Sequence, residues 1–276
     1  MKIIETVAEL KEVLQPFAIH SIGLVPTMGA LHEGHATLIQ QARQENDVVV
    51  VSIFVNPTQF GPNEDFDRYP RDLDGDAKKC EDWQVDFIFA PSVEEIYGSH
   101  GGITYDAGPA SRILCGASRP GHFNGVLQIV SKLFMLVQPT RAYFGQKDAQ
   151  QLALIETLVR DYYFPLEIVP VPIVREEDGL AKSSRNVFLT PEERQEAVVL
   201  SQALTLAKAR LKDGEEAAIV LEQARKKIEE TSAKVEYLEY LAYPDLQRAP
   251  KDDERKILMV AIRFSNVRLI DNELFD

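Results

Sequence analysis

Two cysteines, Cys80 and Cys115, are all that 276 residues contain. They form no CxxC pair and no metal-ligand spacing, so a disulfide framework and a cysteine-built zinc site are excluded, and both read as thiols of a reducing compartment such as the cytoplasm. Long apolar runs are missing too. No stretch approaches the roughly 18 apolar residues of a membrane span, and Glu5, Glu9 and Lys11 fall where a signal peptide needs an unbroken apolar segment. Neither secretion nor membrane insertion is expected. Basic residues are in deficit, 30 against 43 acidic, for a net charge of −13. Such a chain repels a polyphosphate backbone at long range, which sets aside general nucleic-acid binding. There is no internal repeat and no low-complexity linker.

What is present is the material of a folded protein: 45% hydrophobic and 26% charged residues, with length enough for one large domain or two ordinary ones. Residues 1–14 carry Ile3, Val7, Leu10 and Leu14 at helical spacing. A short apolar strand at 22–25 leads to a helix near 34–45, and VVVVSIFV (48–55) reads as a strand covered on both faces in a parallel sheet. A helix at 72–83, closed by a core Trp83, precedes a strand at 85–90, and an apolar helix fills 122–137 until Pro139 stops it. Strands at 141–144 and 166–174 flank a helix at 148–160. This alternation predicts a Rossmann-like, doubly wound parallel α/β sheet over 1–173, with ligands gathering outside the carboxyl ends of the strands. From 174 the pattern changes to two helices (191–211, 215–231) and three strand-like runs (235–243, 256–264, 267–271), a smaller α+β domain over 174–276. Thirteen basic and 22 acidic residues fall in 1–173, and nine of the acids lie between Glu64 and Asp86.

The run PTMGALHEGH (26–35) sits between the first apolar strand and a helix. Gly29 allows a tight turn, Gly34 lets backbone approach a ligand, and N–H groups at a helix start can hold phosphate. His32 and His35 are three apart, so both can face one phosphate chain, whereas the zinc-protease pattern HExxH needs a different spacing. Alone, the run also admits a capped helix with surface histidines, or a metal pair lacking an identified third ligand. REEDGLAKSSRN (175–186) offers Lys182, Ser183, Ser184 and Arg185, the cations and hydroxyls that neutralise a triphosphate as charge moves onto pyrophosphate. Its bland reading is a helix cap or solvated linker. FVNPTQF (54–60), RPGHFNGV (119–126) and YFGQKDAQQL (143–152) add amides and a lysine after strand ends or at a helix start. His20 and His100 have no motif around them and read as surface or packing residues; His122 divides between capping or packing and ligand contact, and Arg112 and Arg119 are candidates for steering anions.

HxGH followed some 150 residues later by a basic serine loop resembles the two signature loops of the HxGH nucleotidyltransferase superfamily. With all five stretches in this order, the chain is similar to the pantothenate synthetase (pantoate:beta-alanine ligase) family, most closely from about residue 20 to 190. The resemblance implies an ATP-dependent condensation of pantoate with beta-alanine to pantothenate through a pantoyl adenylate, releasing AMP and pyrophosphate. It implies ATP contacts from Met28, Gly29, Ala30, Leu31, His32, Glu33, Gly34 and His35, with His32 and His35 catalytic and His35 the proton donor. Gly145, Gln146, Lys147 and Asp148 would contact the nucleotide, and Val174, Lys182, Ser183, Ser184 and Arg185 would complete its site as the smaller domain closes over it. Gln59 and Gln151 would hold pantoate, Gln59 also lying near beta-alanine. Mg2+ enters as the partner of ATP, with no ligand assigned; the acids Asp72, Asp74 and Asp76 could supply one but read as a solvated helix start. The family is commonly homodimeric. Two other readings stand beside this one, another HxGH nucleotidyltransferase and a non-catalytic nucleotide-binding module. Anionic substrates entering an acidic protein require a local basic site, built from His32, His35, Lys147, Lys182 and Arg185, with the acidic run at 64–86 lying apart from these motifs in sequence.

Overall fold

The computed structural model describes residues 1–62, 64, 66–99, 102–248, 250–251 and 253–275, and the backbone but not the side chain of Ser184. The chain forms two compact units, Met1–Gly145 with Leu154–Val171, and Gln146–Ala153 with Pro172–Asp276.

In chain order the first unit contains β1 (Lys2–Ile4), α1 (Val7–Leu14), β2 (Ile22–Thr27), α2 (Glu33–Glu45), β3 (Val48–Ile53), α3 (Leu73–Asp82), β4 (Phe87–Phe89), α4 (Val93–Tyr97), α5 (Cys115–Ser118), α6 (His122–Val137) and β5 (Arg141–Gly145). Helix α7 (Ala149–Tyr162) begins in the second unit and ends in the first, where β6 (Glu167–Val171) follows. The six strands pair in parallel in the order β1-β4-β3-β2-β5-β6. This is the doubly wound sheet expected from the alternation, and β2 and β5 are the neighbours at which the winding reverses. In β3, Val49, Val50 and Val51 are fully buried. Each withdraws about 1.5–3 kcal/mol worth of apolar surface from water, so an Asp at Val50 would break the sheet at its centre. Helix α6 is buried nearly all round and ends where Gln138 turns left-handed (φ 50°) before Pro139.

The first fourteen residues are not one helix. Lys2–Ile4 pairs with β4 at the sheet edge, and Thr6 caps α1 by accepting from Glu9 N–H at 3.2 Å. A cap breaks the helix the spacing suggested: Ile4 is fully buried and Ile3 is exposed. Trp83 is the half-buried C-cap of α3, packed against the sheet's core. His20 is exposed, edge-on to Phe17, and residue 100 lies outside the described residues.

The second unit adds α8 (Pro191–Glu196), α9 (Val199–Lys212), α10 (Ala217–Glu229), β7 (Lys234–Ala242), β8 (Lys256–Arg263) and β9 (Arg268–Phe275). The predicted helix over 191–211 is therefore two, the first opened by a capping box between Thr190 and Glu193. The strands form an antiparallel sheet in the order β7-β8-β9, whose apolar face packs on α9 and α10 through Leu204, Ile228, Leu258, Val260 and Leu269. No helix among the described residues is long and apolar enough to cross a membrane.

Candidate active site

β2 carries the chain into the HxGH turn. The buried Thr27 hydroxyl donates to Ser52 O (2.7 Å) and accepts from Gly29 N–H (3.1 Å). The next residues take positive φ, 79° at Gly29 and 51° at Ala30, which a residue with a Cβ adopts only when its surroundings enforce it. The enforcing group is Asp76 of α3, 2% exposed. Its two oxygens accept from Ala30 N–H (2.7 Å) and Leu31 N–H (2.8 Å), and Lys79, 3.6 Å from that carboxylate, donates to Leu31 O (2.6 Å). Asp72, by contrast, caps α3 by accepting from Gly75 N–H. So Asp76, read from the sequence as part of a solvated helix start, is a buried clamp on the motif's backbone.

The two histidines hold each other. His32 is the N-cap of α2, its Nδ1 accepting from Gly34 N–H (3.1 Å), while His35 Nδ1 accepts from His32 N–H (3.2 Å). Their rings lie 4.2 Å apart between centroids. With both Nδ1 atoms accepting, the proton of each neutral imidazole sits on Nε2, and two N–H donors of one kind result. A Cβ at Gly34 would come within 2.8 Å of the His32 ring, so this glycine makes room for the imidazole. The first-turn amides of Gly34, His35 and Ala36 are likewise engaged by His32.

Gln59 lies in a short turn after β3 and is 8% exposed. Its Nε2 donates to Met28 Sδ (3.0 Å), and its Oε1 accepts from Asn56 Nδ2 (3.1 Å). Asn56, almost fully buried, also donates to Gly125 O (3.0 Å) and accepts from Tyr97 OH (2.7 Å), a hydroxyl whose pKa burial pushes up. A Cβ on Gly125 would lie 2.3 Å from Thr58 O, so α6 reaches this turn only through a glycine. Arg119 makes a two-pronged bond to Glu64 (2.7 and 2.6 Å) and donates to His122 Nε2 (3.0 Å). An arginine has no acceptor, so His122 must accept at Nε2 and donate from Nδ1, which it does to Gln59 O at 2.8 Å. The Arg119 hydrogen bond holds the Glu64 carboxyl below its usual range. His122 and Arg119 thus fix Gln59, Arg112 pairs with Asp106 at the surface, and two acids of the 64–86 run, apart from the motifs in sequence, support them in space.

In the second unit, Gln146–Asp148 forms a single turn leading into α7. Gln146 and Lys147 are partly exposed, Asp148 is exposed, and Gln151 is partly exposed one turn on. Residues 174–182 fold back on themselves: Lys182 N–H donates to Val174 O (2.8 Å), Glu176 N–H to Leu180 O (2.8 Å), and Gly179 turns at φ 96°. Ser183 caps the turn Ser184–Phe188 by accepting from Arg185 N–H (3.2 Å), Lys182 Nζ lies 3.9 Å from Glu176, and Arg185 is exposed. The serine loop thus opens on a capped turn, with Lys182 partly buried and Arg185 exposed. Ser184's side chain is outside the described atoms. Among the described residues no group of three or more His, Cys, Asp or Glu could hold a metal ion.

The first unit thus brings Met28, His32, His35 and Gln59 onto two neighbouring hydrogen-bonded turns, and the second presents Gln146, Lys147 and Lys182 on ordered turns. Asp76, Lys79, Asn56, Glu64, Arg119 and His122 are supports that motif reading did not rank; a polar residue after a strand end was the available signal for Asn56, and a histidine at a helix start that for His122. A doubly wound sheet with an HxGH turn after β2 defines a nucleotide-handling α/β enzyme. The sequence model described as Pantoate-beta-alanine ligase matches residues 2–274. The chain belongs to the pantoate–beta-alanine ligase family, ligases that form an amide bond. It is 55% identical over 278 residues to the pantothenate synthetase of Lysinibacillus sphaericus, covering 100% of this chain and 98% of that protein. The crystal structure of pantothenate synthetase from Thermus thermophilus is similar at a TM-score of 0.91 and 45% identity, with 99% of each chain covered. That of the Francisella tularensis pantoate-beta-alanine ligase, complexed with beta-gamma ATP and beta-alanine, matches at a TM-score of 0.80 and 37% identity, covering 99% of this chain and 97% of that one. These relatives support the ligase reading and not its two alternatives.

Proposed function

We propose that the protein joins pantoate to beta-alanine in two steps, driven by ATP. The pantoate carboxylate attacks the α-phosphorus of ATP and pyrophosphate leaves; the amine of beta-alanine then attacks the acyl carbon, AMP leaves with the C–O bonding pair, and the amine loses a proton. No protein nucleophile is required, because adenylation turns a poor acyl leaving group into a good one and the protein contributes position and charge. The observation that carries this reading is the HxGH turn, where the Nδ1 acceptors of His32 and His35 leave Nε2–H as the donor of both rings in a chain that matches the family over residues 2–274.

In this reading both Nε2–H groups donate hydrogen bonds to phosphate oxygens, and the His35 bond strengthens as charge builds on the departing pyrophosphate. Met28 through His35 form the ATP-side turn. Gly145 to Asp148 contact the nucleotide, with Lys147 at phosphate and Asp148 at the ribose, and Val174, Lys182, Ser183, Ser184 and Arg185 complete the ATP contacts. Gln59 and Gln151 hold pantoate, Gln59 also touching beta-alanine. The ATP and beta-alanine in the Francisella tularensis complex support both ligands. Mg2+ comes bound to ATP, in keeping with an Asp76 whose oxygens are already committed to backbone N–H groups. A homodimer and a cytoplasmic location complete the proposal, and no nucleic acid takes part.

A pyrophosphate-release assay with ATP and pantoate, with and without beta-alanine, tests it. Pyrophosphate from ATP and pantoate, with sustained AMP and pantothenate formation once beta-alanine is added, is expected; no AMP with any mixture overturns the reading.

A further inference from the structure

Two adjacent polar residues of β9, Asp271 and Asn272, are 3% and 2% exposed in a strand otherwise buried through Leu269 and Phe275. They pair in regular register with Val260 and Met259 of β8, so their side chains leave the strand on opposite faces. On the face shared with Leu269 and Phe275, Asp271 takes a two-pronged bond from Arg175 (2.7 and 3.0 Å), and Arg175 also donates to Gly179 O (3.0 Å). Glu273 and Lys208 of α9 extend this ion network on the same face, Glu273 lying 3.6 Å from Arg175 and 2.8 Å from Lys208. On the other face Asn272 Nδ2 donates to both Gln146 O (2.9 Å) and Lys147 O (3.1 Å). Asn272 N–H donates to Asp271 Oδ1 (2.8 Å), which joins the two halves. A strand needs neither residue for its own ladder, and each buried polar group costs stability unless it is satisfied. Here the side-chain bonds they make beyond the strand go to two segments, 146–147 and 175–179.

We propose that Asp271 and Asn272 are positioning residues, a brace that holds the 146–148 turn and the 174–182 fold-back at a fixed spacing so that both meet one ATP. Neither touches substrate; they act through Lys147 and Lys182. The proposal rests on the reading that these two segments carry ATP. It puts part of ATP affinity on the last strand of the chain, far in sequence from every motif.

The experiment compares wild type with Asn272→Ala and Asp271→Asn by steady-state kinetics in ATP and in pantoate, by calorimetric ATP binding, and by thermal melting. Asn272→Ala removes two hydrogen bonds to carbonyls, so KM and Kd for ATP should rise roughly 10-fold, with KM for pantoate within about twofold. Asp271→Asn, which keeps the shape, should give a smaller shift in the same constants. Loss of melting temperature or kcat with both KM values unchanged would overturn the proposal, since that is how a merely structural residue behaves. Should Asn272→Ala fail to fold, Asn272→Ser and Asp271→Asn carry the test. A wild type that neither binds ATP nor forms pantothenate defeats the functional reading instead, and one that binds ATP no more tightly than both variants do defeats the brace alone.

Discussion

The two units prepare their candidate residues differently. In the first, the side chains themselves are held: His32 and His35 by reciprocal bonds, Gln59 at Oε1, at Nε2 and at its carbonyl. In the second, the backbone is held, Gln146 and Lys147 by Asn272 and the 174–182 segment by Arg175 and Asp271, while Asp148 and Arg185 stand exposed. A reacting carboxylate and a developing charge demand donors placed within a few tenths of an ångström, whereas a triphosphate with several oxygens accepts long, mobile cations. Substitutions in the first unit should therefore cost activity and stability together, and those on the surface of the second should cost ATP affinity alone.

The largest effect is expected at His35. His35→Ala should lower turnover on the order of 10²-fold or more, as loss of a transition-state donor does; unchanged activity in the pyrophosphate assay would remove His35 from the mechanism. Next comes Asp76→Ala, which orphans the amides of Ala30 and Leu31. Each orphan costs about 1–3 kcal/mol, so the urea midpoint should fall by several kilocalories' worth and turnover with it. A variant as stable as wild type would show that the turn needs no clamp. Arg185→Ala sharpens the contrast from the other side: KM for ATP is expected to rise roughly 10-fold, with stability within about 0.5 kcal/mol of wild type. If its melting temperature drops as far as that of Asp76→Ala, the distinction between the units is false.

The smallest effect is a pH dependence. Arg119 holds the Glu64 carboxyl below its ordinary value of 4.5. A depressed folded pKa stabilises the native state above the unfolded value, and that stabilisation fades as pH falls through the folded one. The stability gap between wild type and Glu64→Gln should accordingly be full above about pH 4.5 and close in stronger acid. Denaturant midpoints across that range read it directly, and a gap that widens on acidification would contradict the assignment.

Much of this was legible in the sequence. The central strand β3 announced itself as a β-branched run, the helix at 122–137 matched α6 to the residue, and the HxGH run fell at the carboxyl end of β2. Errors came where local pattern competes with a cap or a distant partner. Ile3, Val7, Leu10 and Leu14 keep helical spacing across a chain that Thr6 breaks, and the motif alone does not show that the His32 ring packs against Gly34. The acidic run between Glu64 and Asp86 shows the same limit. Its charge suggested a solvated surface, yet Asp76 clamps the HxGH turn from 46 and 45 residues away and Glu64 reaches Arg119 across 55.

By itself, then, the sequence determined the class of fold, the family and the motifs proposed to meet substrates, because periodicity and motif spacing are local properties of a chain. Only the tertiary structure decided which residues hold those groups in place. Asp76, His122, Arg119 and the Asp271–Asn272 pair act through hydrogen bonds between segments far apart in the chain, and the geometry of such a bond exists only once the fold has brought its two ends together.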